Sequence, residues 1–126
     1  MRLSLSLPVI CVVGLTLTGC ESPADPVICT AIAVDAIVVT VVDGASNQSI
    51  CDATVVAAEG SFSEMLRSFP GATDCTYSGP TERVGVYEVR VTKAGYAPVT
   101  QGSVRVTRDE CHVIPVRLTV TLNRTS

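Results

Sequence analysis

The chain has 126 residues, nine Lys and Arg against twelve Asp and Glu, no Trp and few other aromatics. It has no run of Lys or Arg, which argues against nucleic acid as a partner, and no evident aromatic platform for stacking sugars or bases. Once an N-terminal export segment is set aside, about 100 residues remain, enough for one small core and one domain.

The first segment reads as processing rather than fold. Arg2 supplies a positive start, and residues 3–17 form an apolar run too short for a comfortable membrane span. It ends in Leu17-Thr18-Gly19-Cys20, which resembles a bacterial lipobox. That resemblance implies cleavage before Cys20 and a diacylglycerol on its sulfur, with palmitate among the acyl chains. The alternatives are an ordinary signal peptide or a core helix that happens to end in Cys. The expected organisation is a signal peptide over 1–19, a lipidated Cys20 and tether over 20–28, and a domain over 29–126. Ser22, Pro23, Asp25 and Pro26 suit a tether because they bury little. Loss of Arg2 leaves eight basic residues against twelve acids, a net charge of −4. Glu21 is not the Asp that retains lipoproteins at the inner membrane of enteric bacteria. The expected address is therefore the outer membrane, on its periplasmic or cell-surface side.

Six cysteines sort by compartment. Cys11 leaves with the signal and Cys20 carries lipid. Cys29, Cys51, Cys75 and Cys111 remain, and four thiols in a short exported domain usually make two disulfides. Three pairings are open. A zinc site would need close ligand pairs; here the spacings are long and only His112 is near, so no metal is expected.

Residues 30–42 are apolar or β-branched on both faces, as in a strand interior to its sheet. Asp43-Gly44-Ala45-Ser46-Asn47-Gln48 is turn chemistry. Residues 50–58 alternate, with Ala53, Val55 and Ala57 on one face; small residues there suggest close approach by a facing sheet. After a turn at Glu59-Gly60, residues 61–68 alternate imperfectly, as a weak edge strand. Residues 69–83, with Pro70, Gly71, Gly79 and Pro80 around Cys75 and Tyr77, read as a long irregular loop. The stretch 84–98 is the clearest strand and the one the others can be read as partnering: Tyr87, Val89 and Val91 alternate with Glu88, Arg90 and Thr92. Residues 99–107 return, with a bulge expected at Gly102. Arg108-Asp109-Glu110 is a charged turn, 112–122 is the last strand, and 123–126 a frayed tail. Six or seven short strands with turn signals every ten or so residues predict an all-β antiparallel sandwich.

Thr40-Val41-Val42-Asp43, then Ile50-Cys51-Asp52-Ala53-Thr54-Val55, then Gly85-Val86-Tyr87 and Ala94-Gly95-Tyr96 resemble a carboxypeptidase regulatory-like domain, which is similar to the transthyretin (prealbumin) module. The likeness covers roughly residues 30–122, with Cys51 where that family often has Gly or Pro. It implies a seven-stranded, antiparallel-rich Greek-key sandwich without catalytic residues, in an accessory role of adhesion, carbohydrate contact or spacing. In such a sandwich the first and last strands run parallel side by side. That arrangement implies the pairing Cys29–Cys111 and Cys51–Cys75.

Candidate chemistry is sparse. His112 is the only histidine, and catalysis would require a nucleophile or carboxylate beside it. Glu82 with Asp109 and Glu110, or Asp43 with Asn47 and Asp52, lack the spacing of a calcium loop. Ser22, Ser46 and Ser61 lie in no G-x-S-x-G context. Tyr87 is expected in the core and Tyr96 at the turn that follows. The expected protein is a non-enzymatic lipoprotein without cofactor, an accessory or interaction module of the bacterial cell envelope. Its partners would be the membrane, through Cys20, and an envelope protein or glycan. The alternatives are a carbohydrate-binding module and, less favoured, a small hydrolase.

Overall fold

The computed structural model describes residues 25–71 and 74–126, with Gly14 and Gly19; the rest of the expected signal sequence, and Cys20, lie outside the described residues. The described chain is all β. Its strands are β1 (Asp35–Asp43), β2 (Thr54–Glu59), β3 (Phe62–Met65), β4 (Arg67–Pro70), β5 (Cys75–Thr81), β6 (Gly85–Thr92), β7 (Val99–Val106) and β8 (Val116–Leu122). They form two four-stranded sheets, ordered β4-β5-β1-β8 and β3-β2-β6-β7. All neighbours are antiparallel except β1 and β8, which run parallel from Ile37–Val116 to Asp43–Leu122.

Alternation explains the packing. Ile37, Val39 and Val41 of β1 point inward with Tyr77, Val120 and Leu122 of the same sheet. They meet Val55, Ala57, Tyr87, Val89, Val91, Val104 and Val106 of the other sheet in one continuous core. Tyr77 does more than fill space. Its hydroxyl donates to the Ile50 carbonyl at 2.8 Å and accepts from the Ala53 amide at 2.9 Å, so it pins the segment leading into β2. The bulge falls at Gly102 and Ser103, both opposite Glu88, where the β6–β7 register shifts by one. Ser103 takes the left-handed backbone there, with φ of 56°.

The strand count is eight rather than seven. Residues 61–68 are not one weak strand. Leu66, buried, breaks the run, and its amide donates to the Val55 carbonyl at 2.8 Å. The chain crosses there from one sheet to the other, so β3 and β4 belong to different sheets. The irregular stretch expected at 69–83 contains β5, an interior strand. Gly79 and Pro80 disguise it, but β4 reaches only to Ser78 on that side. Beyond Ser78 only β1 lies beside β5, and a proline is tolerated where a neighbour is missing.

The first strand begins at Asp35 rather than at residue 30, and β2 begins at Thr54 rather than at residue 50. The tail does not fray: the Thr125 amide donates to the Gly95 carbonyl and the Ala97 amide to the Asn123 carbonyl, each at 2.9 Å. β6 keeps its inward face but borders only β2 and β7, so it does not organise both sheets.

Candidate functional site

Parallel β1 and β8 define two poles. At the proximal pole both strands begin, and the segment leading from the N-terminus arrives; at the distal pole both end. The disulfides divide between the poles. Cys29 and Cys111 are joined at the proximal pole with Cα atoms 5.2 Å apart, and Cys51 and Cys75 at the distal pole with Cα atoms 5.3 Å apart. Both separations fall within ordinary disulfide geometry.

The proximal pole gathers the side chains that matter most chemically. Asp109 caps its own turn: one carboxylate oxygen accepts from the Cys111 amide at 2.8 Å and the His112 amide at 2.9 Å. This turn presents Cys111 to Cys29 and aims His112 at two partners. His112 Nδ1 lies 2.7 Å from Glu82 Oε1, and Nε2 lies 3.0 Å from the Thr30 hydroxyl. Glu82 also accepts from the Val34 amide at 2.9 Å and the Val113 amide at 3.2 Å. Its backbone is left-handed, with φ of 49°, and its amide donates to the Val34 carbonyl. Burial would raise the Glu82 pKa, but the hydrogen bonds from His112, Val34 and Val113 outweigh it and hold the group below its usual range. One carboxylate thus fastens the incoming segment, the β5–β6 turn and the β7–β8 turn together.

Beside it, Gly85 explains the G-x-Y motif. A Cβ there would lie 2.6 Å from a Glu59 oxygen. Its absence lets Glu59 accept from the Val86 amide and from Arg83 Nη1. Arg83 stacks 3.8 Å above the Phe62 ring and donates to the Tyr87 hydroxyl at 2.8 Å.

The distal pole is organised by Asp43, which is almost fully buried. One oxygen takes the amides of Ala45 and Ser46, and the other takes the Tyr96 hydroxyl at 2.5 Å and Arg124 Nε at 3.3 Å. The Tyr96 hydroxyl, then the two amides, hold its carboxyl far below the ordinary 3.8, with Arg124 adding to the effect. Asp52 pairs with Lys93, and Asn47 sits in the turn with φ of 58°. Asp43 therefore braces the distal pole; among the described residues no group of three or more His, Cys, Asp or Glu gathers as a metal site would require.

The depressed carboxylates give a signed prediction. A folded-state pKa below the unfolded value stabilises above the unfolded pKa, and that stability is lost as pH falls through the folded one. Asp43, Glu82 and Asp109 are all depressed. The urea midpoint is expected to be flat near neutrality and to fall from about pH 5 toward about pH 2. Asp43→Asn should lower the midpoint at neutral pH and flatten that fall. An equally steep acid limb in the variant would show that Asp43 does not contribute to it.

Of the residues singled out in the sequence, the structure brings together Cys29 with Cys111, Cys51 with Cys75, and His112 with Glu82. It leaves Glu110 and Asp52 exposed and apart from those clusters. Nothing in the sequence marks Thr30 or Arg83 for these roles. Thr30 lies 82 positions from His112, and no local pattern announces such a pairing. No family model matches the chain, and no curated protein matches its sequence.

Proposed function

We propose that the protein is a membrane-anchored, non-catalytic β-sandwich lipoprotein, an accessory or interaction module of the bacterial cell envelope. The observation that carries this reading is the disulfide between Cys29 and Cys111, nine residues after the lipobox cysteine. A domain with bridges at both poles suits an oxidising compartment outside the cytoplasm, and the lipobox supplies the means of staying at a membrane there. The parallel first and last strands support a Greek-key, transthyretin-like arrangement and kinship with carboxypeptidase regulatory-like domains. The polar clusters support a non-enzymatic role, since Asp43, Glu82 and Asp109 each hold two backbone amides. Membrane partnership runs through Cys20, with the outer membrane as the address, and an envelope protein or glycan is the further partner.

Two chains of lipid hold a protein stably where one does not. Cys20→Ala is expected to abolish the acyl mass and move the protein from the membrane to the soluble fraction. A Cys20→Ala protein that still fractionates with membranes at the parental acylated mass would sink the proposal.

A second reading, a small hydrolase, is favoured by one observation. Thr30, His112 and Glu82 stand in the order hydroxyl, imidazole, carboxylate, with separations of 3.0 and 2.7 Å that suit proton relay. Turnover of an ester by the purified protein, abolished in both Thr30→Ala and His112→Ala, would establish it. A glycan-contact reading draws on Phe69, which is 49% exposed and shares a cross-sheet row with Thr76, Thr40 and Thr119.

A further inference from the structure

Exposed apolar side chains are unevenly distributed over the surface. Eight large ones stand well exposed among the described residues. Six of these belong to the proximal pole: Val27, Ile28 and Ile32 on the incoming segment, Val84 and Val86 at the start of β6, and Ile114 ahead of β8. The remaining two, Met65 and Phe69, lie on β3 and β4. Phe69 stands toward the distal end of β4, one residue before the Pro70–Cys75 pair, and none of the eight lies in the turns at 44–49 or 93–98. The three proximal segments are held as one surface: Glu82 bonds to Val34, His112 and Val113, the Cys29–Cys111 bridge joins the first segment to the last turn, and Val27 borders Asp109, Glu110 and Cys111. Ile28 is 90% exposed although it adjoins a bridged cysteine.

We propose that this pole is a lipid-contact surface, so that the domain stands on the bilayer with β1 and β8 rising away from it. The proposal rests on the lipoprotein reading above. The occupant follows from the chain itself. Cys20 lies seven residues before Val27, and seven extended residues span at most about 25 Å. An acylated Cys20 therefore ties this pole, rather than the distal one, directly to the membrane. The charge at the pole selects the kind of lipid. Glu59, Glu82, Asp109 and Glu110 stand there with Arg83, Arg108 and Arg105, the last in register with Val86, so the pole carries no cationic excess to draw anionic headgroups. Contact is apolar and suits a zwitterionic surface. A tether alone does not require such contact, because a spacer would equally let the domain drift clear of the bilayer.

The absence of tryptophan gives a clean test. The full-length acylated protein is reconstituted in phosphatidylcholine vesicles carrying bromines high on the acyl chains, with single reporters Ile28→Trp, Val84→Trp or Gln48→Trp. Position 84 is the decisive one, because only the fold, not the tether, brings it to this pole. The reporters at 28 and 84 should blue-shift and lose roughly half their emission, as expected of rings about 5–10 Å below the headgroups; the distal reporter at 48 should not change. A solvent-like reporter at 84 in protein that carries the acyl mass and floats with the vesicles overturns the contact and leaves the anchor standing. Equal quenching at 48 overturns the orientation. A chain without the acyl mass overturns the anchor and the contact together. Hydrogen exchange on the unsubstituted protein is an independent arm: vesicles should slow the amides of 27–32, 82–86 and 107–114 and spare 44–48.

Discussion

Replacing Cys29 and Cys111 together by serine is expected to lower the unfolding free energy by up to about 4.5 kcal/mol. The bridge spans 82 positions, and the entropy that the unfolded chain regains when a closed loop is opened grows with the loop's length. For a domain near 100 residues that corresponds to a fall in Tm on the order of 20 °C. The Cys51–Cys75 bridge spans 24 positions and should be worth less, about 3.5 kcal/mol by the same argument. The loops are nested, so the two losses should not add in full. Paired thermal melts of the two double-serine variants test the ranking. If the shorter bridge proves the more costly, the Glu82 cluster rather than Cys29–Cys111 holds the incoming segment in place. Loss of the long bridge should also accelerate amide exchange at Val34 and Val113, whose partner is Glu82.

Tyr87→Ala should be almost as damaging, at about 3–5 kcal/mol. The side chain is 1% exposed at the centre of the inner face of β6. Truncation opens a ring-sized cavity between the sheets and removes the edge contact with Phe62, whose ring centroid lies 6.3 Å away. The hydroxyl matters separately, since it donates to the Arg83 carbonyl at 2.9 Å. Tyr87→Phe should therefore cost about 1 kcal/mol, with the remainder belonging to the ring. Domains of this size have roughly 5–15 kcal/mol in total, so Tyr87→Ala should leave the domain marginal at body temperature. Urea titrations of both variants separate the two contributions. A phenylalanine variant as unstable as the alanine one would assign the loss to the hydroxyl network instead.

Legibility followed the range of the interactions. β6 and β8 declare themselves because their inward faces are set by period two, and β1 by an unbroken apolar and β-branched run, all properties of adjacent residues. The turn at 43–48 and the bulge at Gly102 are equally local. β5 was hidden because Ser78, Gly79 and Pro80 are poor strand formers on their own. They are held by β1 on one side and by a core built from both sheets. The break at Leu66 was hidden because its cause, the Val55 carbonyl, is supplied by another strand. The proximal cluster joins residues 30, 82 and 112, and the distal one joins 43, 96 and 124. In each cluster the sequence offers the groups, and only the topology makes them partners. The G-x-Y and GY motifs were visible as words before their chemistry was. Gly85 makes room for Glu59, and Tyr96 delivers its hydroxyl to Asp43.

The long disulfide also sets where tension would run. Consider a load applied between the segment before Cys29 and the segment after Leu122. It passes from Cys29 through the covalent bridge directly to Cys111, and β1 to β7 lie outside that path. The stretched part is β8, dragged along its own axis against its parallel neighbour β1. Its seven register pairs, from Ile37–Val116 to Asp43–Leu122, then share the strain in shear and do not open one by one. Should they yield, only residues 112–126 can pay out, about 50 Å of chain at full extension. The rest of the sandwich remains closed behind a covalent stop.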